Sequence, residues 1–246
     1  MEVHAHAHTE RKKLSHYFWE FLMLFLAVFC GFLAENQREH YVEHQREKQY
    51  MHSMLDDVRN DTSTINRVYN LALAQIVFLD SLIELGNHIP LKGDDIGKLY
   101  SFQSKTTRFL NIHFEDGTSS QLKNAGGLRL IRKEDVVSTI RKHWDHIETL
   151  YRIRDRLEIA GENIADVSSR IFYNSYFIPT DDPLELDSPI KPGAKFIYDD
   201  PRLIAEYINR VATKLLRTKI YLDELKEAKK VADHLIELIQ KEYHVN

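Results

Sequence analysis

Hydrophobic and polar positions follow three different rules along this chain. From Tyr17 to Ala34 the sequence YFWEFLMLFLAVFCGFLA is apolar on every face, with Glu20 as its one charge. Coiled as a helix, these eighteen residues would extend roughly 27 Å, close to the ~30 Å hydrocarbon thickness of a bilayer. The absence of a polar face argues against a surface helix of a soluble domain, so the pattern predicts a transmembrane helix over 17–34. Polar residues then begin abruptly at Glu35. Arg38, Glu39, His40, Glu43, His44, Arg46, Glu47 and Lys48 leave no apolar seam, which predicts an exposed helical stalk over 35–50. From Met51 a heptad rule takes over. Met51, Val58, Ile65, Ala72 and Leu79 are spaced by seven, and Leu55, Thr62, Tyr69, Ile76 and Ile83 form a second row offset by four. Together they read as the a/d seam of a coiled coil.

Gly86 to Gly93, with Asn87 and Pro90, breaks this helix. A short helix is predicted from Asp94 to Phe109, and another with Thr118 as N-cap, Gln121 three residues on and Gly126 just past its end. A third long pattern starts at Lys133. Val137, Ile140, Trp144, Ile147 and Tyr151 lead it, and Leu157, Ile164, Val167 and Ile171 continue it, with Gly161 as a candidate kink. The stretch 174–200 holds four of the six prolines (Pro179, Pro183, Pro189 and Pro192) and is expected to be the one long loop. Asp200 as N-cap and Pro201 at the first helical position open the last helix. Its seam is Ile204, Val211, Leu225 and Ile239 with Ile208, Leu215, Leu222 and Ile236. The predicted fold is all-α: one N-terminal transmembrane helix, then a long-helix antiparallel bundle over 51–246.

Composition sharpens this picture in a few places. Nine glycines and six prolines in 246 residues favour long helices over many short strands. A formal net charge of −4 with no dense basic block argues against nucleic acid as a partner. The single cysteine, Cys30, lies inside the apolar segment and leaves the soluble part without disulfide or thiolate chemistry. Phe32 at the −3 position before Ala34 is a poor signal-peptidase site, and Phe29 is a poor lipobox neighbour for Cys30, so the segment is expected to remain as an anchor. Arg11, Lys12 and Lys13 cluster before it, which predicts a cytoplasmic tail over 1–16 and a bundle outside a bacterial inner membrane.

Several constellations invite chemistry. Glu20, Ala27, Gly31 and Ala34 fall on one stripe of the anchor, with small residues spaced as in helices that approach closely, which predicts self-association. His4, His6 and His8 alternate with alanines in the tail, and neutral imidazoles in such a tract suit Zn or Cu. A solvated tail is the simpler reading. His40 and His44 share a face of the stalk beside Glu39 and Glu43. His143 and His146 flank the core residue Trp144 and are expected to line the bundle's edge. Asp56 and Asp57 are expected on a solvated helix face. No Glu is followed three residues later by His, which removes the di-iron bundle pattern. The sequence also lacks a phosphate-binding glycine loop, G-x-S-x-G, H-E-x-x-H and CxxC, so no enzymatic role is expected.

The opening MEVHAHAH, the basic turn after it, EFLMLFLAVFCGFLAENQREH, and the internal segment SSQLKNAGGLRLIRKEDV (Ser119 to Val136) together resemble a bacterial family of single-pass, membrane-anchored helical proteins of unknown function with a His-rich N-terminus. That resemblance implies topology and no mechanism. The functional expectation is a non-enzymatic envelope scaffold that contacts membrane lipid, forms a homo-oligomer and presents its bundle to an unknown envelope protein. The alternative is a helical sensor of a small ligand or of envelope state. With about sixteen residues ahead of the span, such a sensor would act through a partner protein.

Overall fold

The structure, a computed structural model, describes residues 14–88, 94–106, 110–124, 126–178, 190–198 and 200–245. These form five α-helices: α1 (Leu14–Gly86), α2 (Asp94–Thr106), α3 (Gly117–Asn124), α4 (Glu134–Ile171) and α5 (Pro201–Tyr243). Two short 3-10 turns, Gly127–Leu130 and Asn174–Tyr176, interrupt the connections. The chain divides into two compact units, Met1–Gln49 and Tyr50–Asn246.

In the first unit the described residues are helical throughout. Its apolar window has no buried share, and the rings of Phe21, Phe25 and Phe29 stack along one face at centroid separations of 6.3 and 5.9 Å. The stretch 35–49 is largely exposed, as a densely polar sequence requires, except that Val42, Glu43 and His44 are half-buried and Glu47 is buried.

The second unit is organised by three apolar clusters. Met51, Met54, Leu55 and Val58 of α1 pack with Val136, Ile140 and Trp144 of α4 and with Ala232, Leu235 and Ile239 of α5. Ile65, Val68 and Ala72 meet Leu150 and Leu157, and Tyr221, Leu222 and Leu225. Leu79 and Leu82 meet Ile164, Val167 and Ile171, and Ile204, Tyr207, Ile208, Val211 and Leu215. Along these clusters α1 and α4 ascend together while α5 descends. The bundle is therefore antiparallel at α5 but parallel between α1 and α4, a refinement of the expected architecture. The parallel pair is possible because the segment between them carries the chain back: Leu99 and Tyr100 of α2 belong to the last cluster, Leu110, Ile112 and Phe114 to the middle one, and Leu122 and Ile131 to the first.

The row Met51, Val58, Ile65, Ala72 and Leu79 is buried as the heptads predict. Its companion is not the expected one. Thr62, Tyr69, Ile76 and Ile83 are only half-buried, and the buried row is Met54, Asp61, Val68, Gln75 and Leu82. Two polar members hide that row from a hydrophobic pattern. A similar shift places Val136, His143 and Leu150 of α4 inside, with Val137, Ile147 and Tyr151 half-buried. Gly161 is buried and α4 continues through it.

The punctuation of α5 is as the sequence predicts. Pro201 sits in its first turn, and the Asp200 carboxylate accepts from the Arg202 amide at 2.9 Å, satisfying a donor that the helix itself cannot. Part of the proline-rich stretch is ordered by its aromatic ends. Antiparallel bridges join Phe172 to Phe196 and Phe177 to Ile190, and the Tyr100 hydroxyl accepts from the Tyr173 amide and donates to the Lys195 carbonyl, both at 2.8 Å. Pro179, Pro183 and Pro189 lie outside the described residues.

Candidate functional site

Asp57 and Asp61 stand one turn apart on α1, on the side that meets α3 and α4. Asp57 accepts from the Thr118 amide at 3.2 Å, and Asp61 accepts from the Glu115 amide at 3.3 Å. Unsatisfied N–H groups and a positive helix end make the start of a helix a favourable place for carboxylates. Helix α3 begins at Gly117, so Thr118 lies inside it, and capping comes from another helix rather than from Thr118. Asp56 is exposed, as a solvated face requires, but Asp57 is half-buried. Its bond to the Thr118 amide turns it from solvent towards α3.

The second oxygen of Asp61 lies 3.0 Å from Nε2 of His143. The two side chains are 3% and 1% exposed, so His143 is in the interior and not at the bundle's edge. With the carboxylate acting only as acceptor, the network assigns the proton to Nε2. Nδ1 of His143 is buried and meets no hydrogen-bond partner among the described residues. Next along α4, the Trp144 indole donates to the Ser119 hydroxyl at 2.8 Å, and the Lys123 ammonium lies 4.4 Å from the Trp144 ring centre. Two turns beyond Trp144, the Tyr151 hydroxyl accepts from the Phe114 amide at 3.1 Å.

Together these contacts form a latch that fastens 114–123 to α1 and α4. A carboxylate–imidazole pair sealed from solvent can hold and orient. It cannot meet a substrate where it lies.

A second polar feature sits farther along the same unit. Gln75, Leu110, Asn111, Arg154, Leu157, Glu158 and Lys214 line a narrow cleft whose interior space is about 10 Å³, room for roughly one water and far below the ~300–1,000 Å³ of ordinary ligand pockets. Lys214 is buried, and its ammonium donates to the carbonyl of Thr106, the last residue of α2. A cation there also meets the negative end of the helix dipole. Burial nonetheless pulls the Lys214 pKa down to about 8. Burial pushes the Tyr207 and Tyr221 hydroxyls well above the ordinary tyrosine value.

The residues singled out by sequence are placed as follows. His4, His6 and His8 lie outside the described residues, as do Arg11, Lys12 and Lys13. Glu20 is exposed, with a carboxylate oxygen 3.0 Å from Nε2 of His16. Ala27, Gly31 and Ala34 are exposed, and a Cβ at Gly31 would meet open space. His40 and His44 pair with Glu43 and Glu47 at 3.7 and 3.2 Å, and the half-buried His146 pairs with Glu224 at 2.6 Å. Among the described residues, no group of three or more His, Cys, Asp or Glu side chains could hold a metal ion. The roles of Asp57, Asp61 and Lys214 escape a reading of the sequence. The available signal for Asp61 is its place, seven residues from Met54 and from Val68. Comparison with protein-family models, with curated proteins and with solved structures returns no match.

Proposed function

We propose that this protein is a non-enzymatic scaffold, held in a bacterial inner membrane by the helix over 17–34 and self-associating through the stripe Glu20, Ala27, Gly31 and Ala34. The observation that carries this reading is the exposure of the apolar window. A helix segment long and apolar enough to cross a membrane has none of that window buried inside the protein, and in water such a surface would be strongly unfavourable. The latch favours a scaffold over an enzyme, because its two carboxylates accept from internal donors. In this reading the N-terminus is cytoplasmic, the bundle is periplasmic and the partner is an envelope protein. The resemblance to the single-pass family points the same way.

The test is fractionation. The full-length chain should sediment with membranes, resist extraction by alkaline carbonate, and enter solution only with detergent. Recovery in the soluble fraction without detergent would remove the anchor and the address drawn from it. Reporter fusions at the two termini would read the orientation separately.

A further inference from the structure

Asp116 and Gly117 form the chain's one Asp-Gly step, and no Asn precedes a glycine. The step lies at the start of α3. Both residues are exposed, and a Cβ at Gly117 would meet open space. The first amides of a helix have no acceptor within it, so the Gly117 nitrogen is not tied into α3. With no side chain on Gly117, nothing on its own residue shields that nitrogen. Bonds on either side hold the step in place. The Glu115 amide donates to Asp61 at 3.3 Å, the Thr118 amide to Asp57 at 3.2 Å, and the Ser120 amide to the Asp116 carbonyl at 2.7 Å.

We infer that Asp116 is a self-modification site, at which the chain converts slowly to isoaspartate when the latch opens. The Gly117 nitrogen attacks the Asp116 carboxyl carbon. A C–N bond forms, a carboxyl C–O bond breaks, and one water leaves with the amide proton, giving a cyclic succinimide. Water then reopens the ring. Attack at the side-chain carbonyl restores aspartate. Attack at the main-chain carbonyl leaves the chain running through Cβ and Cγ, one methylene longer and with its mass unchanged. Water is the only co-reactant. Ring closure requires a twist about the Asp116 Cα–C bond that lies outside the α and β regions, and that twist swings the Asp116 carbonyl away from the Ser120 amide. The closed latch therefore holds the step back, and local opening releases it. Once isoaspartate has formed, an extra main-chain atom changes the spacing of the Glu115 and Thr118 amides, while Asp57 and Asp61 stay one turn apart on α1. Their two bonds are already at the long end of the N–H···O range and do not both survive such a shift. The modification locks the latch open.

The experiment ages the full-length chain in mild detergent at neutral pH. Isoaspartate is counted by methyl transfer from labelled S-adenosylmethionine with an isoaspartate methyltransferase, and placed by resistance of the step to a protease that cleaves before aspartate. Asp80, exposed and followed by Ser81 inside α1, is the internal reference. The expected result is at least fivefold more isoaspartate at Asp116 than at Asp80. Gly117→Ala should lower it about tenfold, because a methyl group crowds the attacking nitrogen. Asp57→Ala, which releases the Thr118 amide, should raise it severalfold at Asp116 with Asp80 unchanged. If Asp80 rises as well, the whole chain has opened, and the milder Asp57→Asn takes its place with a smaller rise expected at Asp116 alone. Equal amounts at Asp116 and Asp80, or none at either, would overturn the proposal. A level at Asp116 that ignores both Asp57 variants would overturn the latch's control of the step. An isomerised fraction as stable as the fresh chain would show the latch closed and reject its locked-open state.

Discussion

Asp61 shows how one side chain can join three elements. Its carboxylate receives the Glu115 amide on one oxygen and the His143 imidazole on the other, from positions 54 and 82 residues away in the chain. Removing one member of a buried, hydrogen-bonded pair leaves the other desolvated and unmatched, which costs more than the intact pair contributes. Asp61→Ala should therefore destabilise the bundle by about 3 kcal/mol, and His143→Ala by about 2 kcal/mol. The double variant should cost less than the two singles together, since each single breaks the same pair. Trp144 lies beside the pair, and only one other tryptophan, Trp19, is present. Urea unfolding followed by fluorescence in a Trp19→Phe background thus reports on the latch directly. Fully additive effects would mean that the two residues act separately.

At the scale of elements, the segment after α3 depends on two adjacent glycines for different reasons. Gly126 has φ +65, in the left-handed region, whereas a Cβ on Gly127 would come within 3.2 Å of the Leu122 backbone and 3.0 Å of its side chain. Gly126→Ala should cost roughly 1–2 kcal/mol through backbone strain. Gly127→Ala must also move Leu122, a buried member of the first cluster, and should additionally shift the Trp144 fluorescence. Unfolding midpoints equal to that of the unsubstituted chain would show that this turn tolerates side chains. The Gly pair was legible in the sequence as a helix stop, and so was the start of α5, because Gly126, Asp200 and Pro201 act locally. The apolar segment was legible for a related reason: uniform hydrophobicity needs no partner to be recognised. What remained hidden depends on distant partners. Asp61 and Gln75 occupy core positions that a hydrophobic pattern skips, and the parallel course of α1 and α4 follows from the return path between them, which no heptad records. The latch itself joins residues whose pairing no local spacing could announce.

For the molecule as a whole, the buried ionisable groups set a stability profile against pH. Lys214 has a pKa of about 8 when folded against 10.5 when free. Between these values the unfolded chain binds the extra proton, so stability rises with pH across that window, by on the order of 3 kcal/mol at most. Tyr207 and Tyr221 act in the opposite sense. Their folded values are raised above the ordinary 10.0, so the stability they contribute is complete below that pH and declines as the unfolded tyrosines ionise above it. The two effects predict a maximum between about pH 9 and 10, well above the isoelectric point of about 6.4. Thermal unfolding of the full-length chain in a mild detergent, scanned from about pH 7 to 11, should show this maximum. Lys214→Met should abolish the rise between about pH 8 and 10 while keeping the decline above it, even though it also removes the donor to Thr106 and lowers stability at every pH. A rise that survives the substitution would place its origin in another group and leave Lys214 as a cap for α2 alone.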